Sequence, residues 1–264
     1  MIASVKRAIT LLHCFSIEKT ELSVSELSIK LGVHKSTVSR LLATLASEKL
    51  VNCNPENGKY RLGMGLIELS GLVVLHSELR QIALPFLRQL GDKTKETVNL
   101  AVLEQDTAIN IEQSVPFDRR VFSIGWVGRR TPLHASSTGK VLLAFLPNEL
   151  LEPILQKPLE VFTENTITDP GFLQSELGKI RKKEYASGLE ELEIGLNAVA
   201  APIRNHTKEV IAAVSVTGPP SRLSKQRIEN EVSQQVQDCA QIISQAIGYS
   251  SLKRNQKHLS DYLP

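Results

Sequence analysis

The run Leu22-Ser23-Val24-Ser25-Glu26-Leu27, followed by Leu31-Gly32-Val33-His34-Lys35-Ser36-Thr37-Val38-Ser39-Arg40-Leu41-Leu42, decides the fold of the first quarter of this chain. Ser23-Val24-Ser25-Glu26 fits a capping box, in which a Ser hydroxyl and a Glu carboxylate satisfy the free N–H groups of a helix start. Leu31-Gly32 predicts the end of that helix, because Gly32 adopts a left-handed turn without steric penalty. The next helix is expected from near His34 to about Lys49, with Val38, Leu41, Leu42 and Leu45 as its buried stripe. Its opposite face carries Lys35, Ser36, Ser39, Arg40 and, a turn later, Thr44. Short polar groups approach base edges closely, and Arg makes two bonds to guanine. A capped helix, a tight Gly turn and a polar-faced helix make a helix-turn-helix.

Both flanks agree with this reading. Upstream, Val5, Ala8, Ile9, Leu12 and Phe15 recur at helical spacing and predict a helix over 5–15 with those residues on its buried face. Downstream, Leu50 to Cys53 and Lys59 to Leu62 read as two strands around Asn54-Pro55-Glu56-Asn57-Gly58, a hairpin in the place of a wing. Its tip and Lys59 are set to reach phosphate or the minor groove. Charge is distributed to match. Residues 1–62 carry six Lys and three Arg against five Glu, a net of +4, whereas the whole chain carries +3. A basic module joined to a neutral one points to nucleic acid. The candidate DNA-contacting residues are Ser25, Lys35, Ser36, Thr37, Ser39, Arg40, Thr44, Asn57 and Lys59. Within this set Ser36, Ser39 and Arg40 are expected to read bases, and Lys35 and Lys59 to hold phosphates.

At 264 residues, 42% of them apolar and 22% charged, the chain has globular composition and length for two domains. No apolar run approaches the ~18 residues of a membrane span. Met1 to Arg7 offers no signal-peptide core. Cys14, Cys53 and Cys239 are too scattered for a metal knuckle or a disulfide framework. A cytoplasmic protein with reduced thiols is expected.

The chain resembles the IclR family of bacterial transcription regulators. The resemblance rests on the two segments quoted first, on Gly58-Lys59-Tyr60-Arg61-Leu62-Gly63, and on Pro132-Leu133-His134-Ala135-Ser136 with Gly139-Lys140. It continues in Glu190-Glu191, Gly195 and Ala200-Ala201-Pro202-Ile203, in order along nearly the whole chain. It implies an α+β protein with an N-terminal winged helix-turn-helix, a linker helix and a C-terminal GAF-like effector-binding domain built on an antiparallel sheet. The expected boundaries are 1–62, 63–76 and 77–250, with a polar tail over 251–264. It also implies a homodimer or tetramer that binds double-stranded operator DNA as a repressor of a catabolic operon, with a small organic acid altering the binding.

Read for themselves, the later residues fit an α+β domain. Leu66, Ile67, Leu69, Leu72 and Val73 mark a helix whose apolar stripe must be buried, either on a second copy or on the effector domain. A helix capped at Ser77 follows, with Pro85 inside it. Strands are expected over 97–103, 107–111, 121–127, 198–203 and 210–217, and helices near 139–145, 148–155, 173–186 and 228–247.

Ser136-Ser137-Thr138-Gly139-Lys140 invites three readings. A phosphate loop fails, because His134 stands where Gly is needed and Val141 where Ser or Thr is needed. Ser137 and Lys140 have Ser-x-x-Lys spacing, but the partner motifs of such a nucleophile are missing. An anion site at a helix start remains, with hydroxyls from Ser137 and Thr138, against simple capping. Ser215 and Thr217 lie two apart on a strand and share a face; by the resemblance they line the effector pocket, as do residues around Ser137. The chain departs from the pattern the resemblance implies, in which acidic residues often precede the Glu-Glu pair and Cys often precedes the Ala-Pro pair; it has Gly188, Leu189 and Ala198 there. An apolar or aromatic carboxylate is therefore expected, with Trp126 as a wall beside Leu189 and Ala198. No cofactor, metal site or catalytic residue is expected; His134 and His206 read as structural or surface residues. Two other readings stay open: an architectural DNA-binding protein without a ligand, and an enzyme using Ser137 or Cys239.

Overall fold

A computed structural model describes residues 2–16, 19–75, 78–116 and 127–249. The chain divides into two compact units, Met1–Ser77 and Glu78–Pro264.

In the first unit, α1 (Ala3–Leu12), α2 (Val24–Leu31) and α3 (Lys35–Ser47) precede a hairpin of β1 (Val51–Cys53) and β2 (Tyr60–Leu62). The capping box forms: the Ser23 hydroxyl accepts from the Glu26 N–H, and Glu26 accepts from the Ser23 N–H. Gly32 takes φ 62°, the left-handed conformation that ends α2 and turns the chain toward α3. His34 caps α3 by accepting from the Ser36 N–H. Leu11, Leu22, Leu27, Val38, Leu42, Leu45 and Val51 make the core. The buried face of α1 is offset from the expected stripe. Leu11 faces the core with Ala8, Leu12 and Phe15 beside it, while Val5 and Ile9 are about half exposed together with Ile2. After the hairpin comes α4 (Gly65–Leu75). Its start is tied to this unit by bonds from the Gly63 N–H to the Leu50 carbonyl and from the Gly65 N–H to the Lys49 carbonyl.

The second unit opens with α5 (Glu78–Thr94), which runs through Pro85. There follow β3 (Thr97–Glu104), β4 (Thr107–Ser114), β5 (Arg130–Pro132), α6 (Ser137–Ala144), α7 (Asn148–Leu155), α8 (Pro170–Lys183), β6 (Ala186–Leu189), β7 (Asn197–Arg204) and β8 (Val210–Gly218). Among the described residues these strands form one antiparallel sheet in the order β5-β4-β3-β8-β7-β6. The late helix expected over 228–247 comes in three pieces: α9 (Lys225–Arg227), a π turn over Ile228–Val232 and α10 (Ser233–Ala246). The cap expected at Ser77 and all but the last residue of the strand expected over 121–127 lie outside the described residues, as does Trp126.

Strand alternation divides the side chains between the sheet's two faces. Val98, Leu100, Val199, Ala201, Val214 and Val216 pack with α5 and α10. Ala101, Ala200 and Ala213 pack with Val141 and Leu143 of α6 and Leu173, Leu177 and Ile180 of α8. The small strand residues on this second face let α6 lie close. The turn that leads into α6 also packs tightly on it: a Cβ on Gly139 would sit 2.4 Å from the Leu133 Cα and 2.5 Å from its carbonyl oxygen.

Candidate nucleic-acid interface and ligand pocket

On α3, Lys35, Ser36, Ser39, Arg40 and Thr44 are all exposed, and Thr37 is half-buried. Ala43 and Ser47 extend the same exposed surface; Ala43, an apolar residue beside the buried stripe, carries a methyl that suits a thymine methyl. Three hydroxyls already have local partners. Ser39 donates to the Lys35 carbonyl at 3.0 Å and Thr44 to the Arg40 carbonyl at 3.1 Å. The Ser36 hydroxyl lies 2.8 Å from His34 Nδ1, which also accepts from the Ser36 N–H. That second bond makes Nδ1 an acceptor, so the Ser36 hydroxyl donates to it. Lys35 and Arg40 form no ion pair among the described residues and project as free cations. Ser25 is half-buried on α2.

The hairpin is held from the side. Glu21 accepts from Asn54 Nδ2 at 3.1 Å and from Asn57 Nδ2 at 2.9 Å. These bonds, Asn57's first, keep its carboxyl below the usual carboxylate range. Asn57 Oδ1 meanwhile accepts from the Lys59 N–H. Both ends of the Asn57 amide thus shape the hairpin tip, whereas Lys59 beside it is exposed.

In the second unit a pocket with a cavity volume of about 40 Å³, partly open to solvent, lies on the α6 side of the sheet. Ser136 caps α6 by accepting from the Gly139 N–H while donating to the Pro132 carbonyl. The first turn of α6 brings Ser137 and Thr138 to the pocket wall. Sheet register supplies the floor. Gly188 pairs with Ala198, and Ala198 with Thr217, across β6, β7 and β8. Ser215 pairs with Asn99 on β3. Ala198, Ser215, Thr217 and Asn99 all line the pocket.

Leu189 does not join them. Strand alternation sends Gly188 to the pocket face and Leu189 to the opposite one, where it packs on the core beside α5 and α10.

Four lining groups carried no readable signal as a set: Asn99, Asn110, Thr131 and Glu191. Asn99 donates to the Thr217 hydroxyl and accepts from Gln113 Nε2, both at 3.2 Å. Asn110 reaches the pocket through a β-bulge. The β3–β4 register shifts between Leu100 and Ala101, so Asn110 and Glu112 face opposite ways. Glu112 pairs with Arg80 of α5, and Asn110 faces the pocket. Glu191, on the loop after β6, accepts from buried Lys140 Nζ through both carboxylate oxygens at 2.6 Å. Burial pushes the Glu191 carboxyl above its ordinary value, and the Lys140 ammonium opposes that rise. The pair removes Lys140 from service as a base for Ser137. The Thr163 and Thr166 hydroxyls donate to the carbonyls of Glu190 and Glu191 and fasten this loop. Leu192 and Leu196 from it, with Ala135, supply the apolar part of the wall.

The structural histidine reading fits His134, whose Nε2 contacts the Glu160 carbonyl and whose ring lies 5.9 Å from that of Phe162. Cys239 is buried against the α5 side, and burial raises its thiol to about 12, far from a nucleophile's range.

The IclR helix-turn-helix domain matches residues 4–55, and the domain described as bacterial transcriptional regulator IclR C-terminal matches residues 72–245. This chain belongs to the IclR family. The family is one of transcriptional regulators, not of enzymes. Among its IclR relatives, the HTH-type transcriptional regulator XynR of Escherichia coli K12 is 36% identical over 252 residues, covering 94% of this chain and 98% of that protein. The HTH-type transcriptional repressor AllR of the same strain is 33% identical over 246 residues, 93% of this chain and 90% of that one. The fold is shared with a solved IclR homolog from Microbacterium hydrocarbonoxydans, complexed with 4-hydroxybenzoate. It has a TM-score of 0.79 and 28% identity, and covers 93% of this chain and 99% of that one. As an IclR protein, the chain pairs a DNA-binding helix-turn-helix with an α+β effector domain. No helix among the described residues is long and apolar enough to cross a membrane.

Proposed function

We propose that this chain is a cytoplasmic homo-oligomer that represses transcription at an operator and responds to a small carboxylate. The exposed face of α3, with Lys35 and Arg40 unpaired, carries the DNA part of this reading. Arg40 reads a base edge, Ser39 and Thr44 accept from bases while their protons stay on the helix, and Lys35 and Lys59 neutralise phosphates. Functional boundaries at 1–62, 63–76 and 77–250 follow, with 251–264 a tail.

The effector part rests on the pocket. The first N–H groups of α6 and the hydroxyls of Ser137 and Thr138 suit a carboxylate. Capture of 4-hydroxybenzoate by a related protein supports an organic acid as the ligand class. The repressor part rests on the likeness to AllR.

Gel retardation on promoter fragments tests the DNA assignment. Arg40→Ala should lose about 1–3 kcal/mol of operator affinity and relax sequence preference. Lys59→Ala should weaken all DNA evenly and lower the salt slope by about one. Unchanged affinity in both variants would overturn the assignment.

A further inference from the structure

We propose that the pocket selects a hydroxylated monocarboxylic acid, with hydroxyls on the carbons beyond the carboxylate, over an aromatic or a dicarboxylic acid. This rests on the effector reading above and narrows it to a ligand class.

The first observation is a set of polar side chains without partners. Asn110, Ser137, Thr138 and Ser215 are each more than nine-tenths buried and line the pocket. Among the described residues none of these four side chains makes a hydrogen bond. Their polar atoms keep contact with the pocket space instead of being sealed in the core, so they can bond whatever enters it. Ser137 and Thr138 stand at the α6 start and answer to a carboxylate. Asn110 and Ser215 stand on the sheet floor, and a carboxylate held at α6 does not account for them. An amide and a hydroxyl, each offering a donor and an acceptor, match alcohol groups, which do the same. A benzene ring in that position would leave both unsatisfied.

The second observation is charge. Glu191 brings a carboxylate to the pocket, fixed by Lys140 through both oxygens. A hydroxyl can donate to the lone pairs that remain. The pair is neutral overall, and among the described residues no unpaired cation lines the pocket to receive a second ligand carboxylate.

Calorimetric titration of the full chain tests the proposal with gluconate, benzoate, pyruvate and succinate as probes. Gluconate should bind at least about 100-fold more tightly than benzoate or succinate, because sites built to bond hydroxyls reject analogues that lack them. Asn110→Ala should weaken gluconate by about 10-fold and leave the weaker pyruvate binding unchanged, as expected for one lost hydrogen bond. Ser215→Ala should act the same way. Each variant's melting temperature without ligand checks that the unit still folds, and the wild-type preference order stands apart from any variant. Benzoate or succinate binding as tightly as gluconate would overturn the proposal. So would equal losses for gluconate and pyruvate in both variants. Tight binding of benzoate alone would sink this inference and leave the effector reading standing; binding of no acid, with operator binding intact, would sink both.

Discussion

Glu26 joins two features that the chain keeps separate in sequence. Its carboxylate accepts from the Ser23 N–H and hydroxyl, each at 2.8 Å, and meets Lys19 Nζ at 2.9 Å. Lys19 first, then the Ser23 groups, hold it at about 2 instead of 4.5. A depressed carboxyl stabilises the fold fully above its unfolded value and stops doing so as pH falls through its folded one. The contribution should therefore be present above pH 4.5 and fade toward pH 2. Glu26→Gln should flatten the acid limb of urea-unfolding stability in that window, and an identical limb would contradict the assignment. Gly139 is a residue-scale constraint of another kind. The Cβ of Gly139→Ala would press on Leu133 backbone, which has no side-chain rotamer to yield. The loss should be about 3 kcal/mol, the upper part of the usual overpacking range. Urea unfolding of the variant reads it directly, and a loss under a third of that would mean the turn before α6 yields more readily than its packing implies.

Among elements, the hairpin shows how a distant residue sets local shape. Glu21 precedes α2, yet it bonds both Asn54 and Asn57, and the neighbouring Leu22 bridges to Tyr60. Glu21→Ala should free the tip and weaken operator binding several-fold, with a smaller change in melting temperature. If operator affinity held while the tip loosened by amide exchange, the hairpin would have no part in DNA contact. Much of this unit was legible in the sequence because its signals are local: a capping box, a Gly turn, an Asn-Gly tip. The same holds for Ser137 and Thr138 at a helix start and for Ser215 and Thr217 at strand spacing. What escaped depended on pairing between distant segments. Alternation could not reveal Asn110, because the bulge between Leu100 and Ala101 resets the faces. Glu191 became a pocket residue only through Lys140, fifty-one positions earlier. β6 was not expected, since Ala-Ser-Gly-Leu has weak strand preference and sits at the sheet edge. The π turn inside the last helix kept apolar spacing and so hid the break.

For the whole molecule, the deciding quantity is the apolar surface the first unit leaves uncovered. On α1 and its N-cap, Val5, Ile9 and Ile2 are each at least half exposed; on α4 and just before it, Ile67, Leu69 and Met64 are as well. Two such stripes on so small a unit exceed what scattered surface residues explain, and they mark an interaction face. A second copy, as in the homo-oligomer proposed above, would cover them symmetrically and present two α3 helices to DNA, which is how a helix-turn-helix protein reads two half-sites one turn apart. The proposed homodimer therefore makes a joint prediction. Ile9→Glu combined with Ile67→Glu should shift the sedimentation mass toward one chain and reduce operator affinity by far more than either Lys59→Ala or Glu21→Ala, because the two half-sites would then bind independently. Acid binding in the second unit should remain intact, since neither residue belongs to it. A double variant that kept its mass and its operator affinity would mean that the two stripes do not form the subunit contact, and that half-site spacing is set elsewhere in the chain.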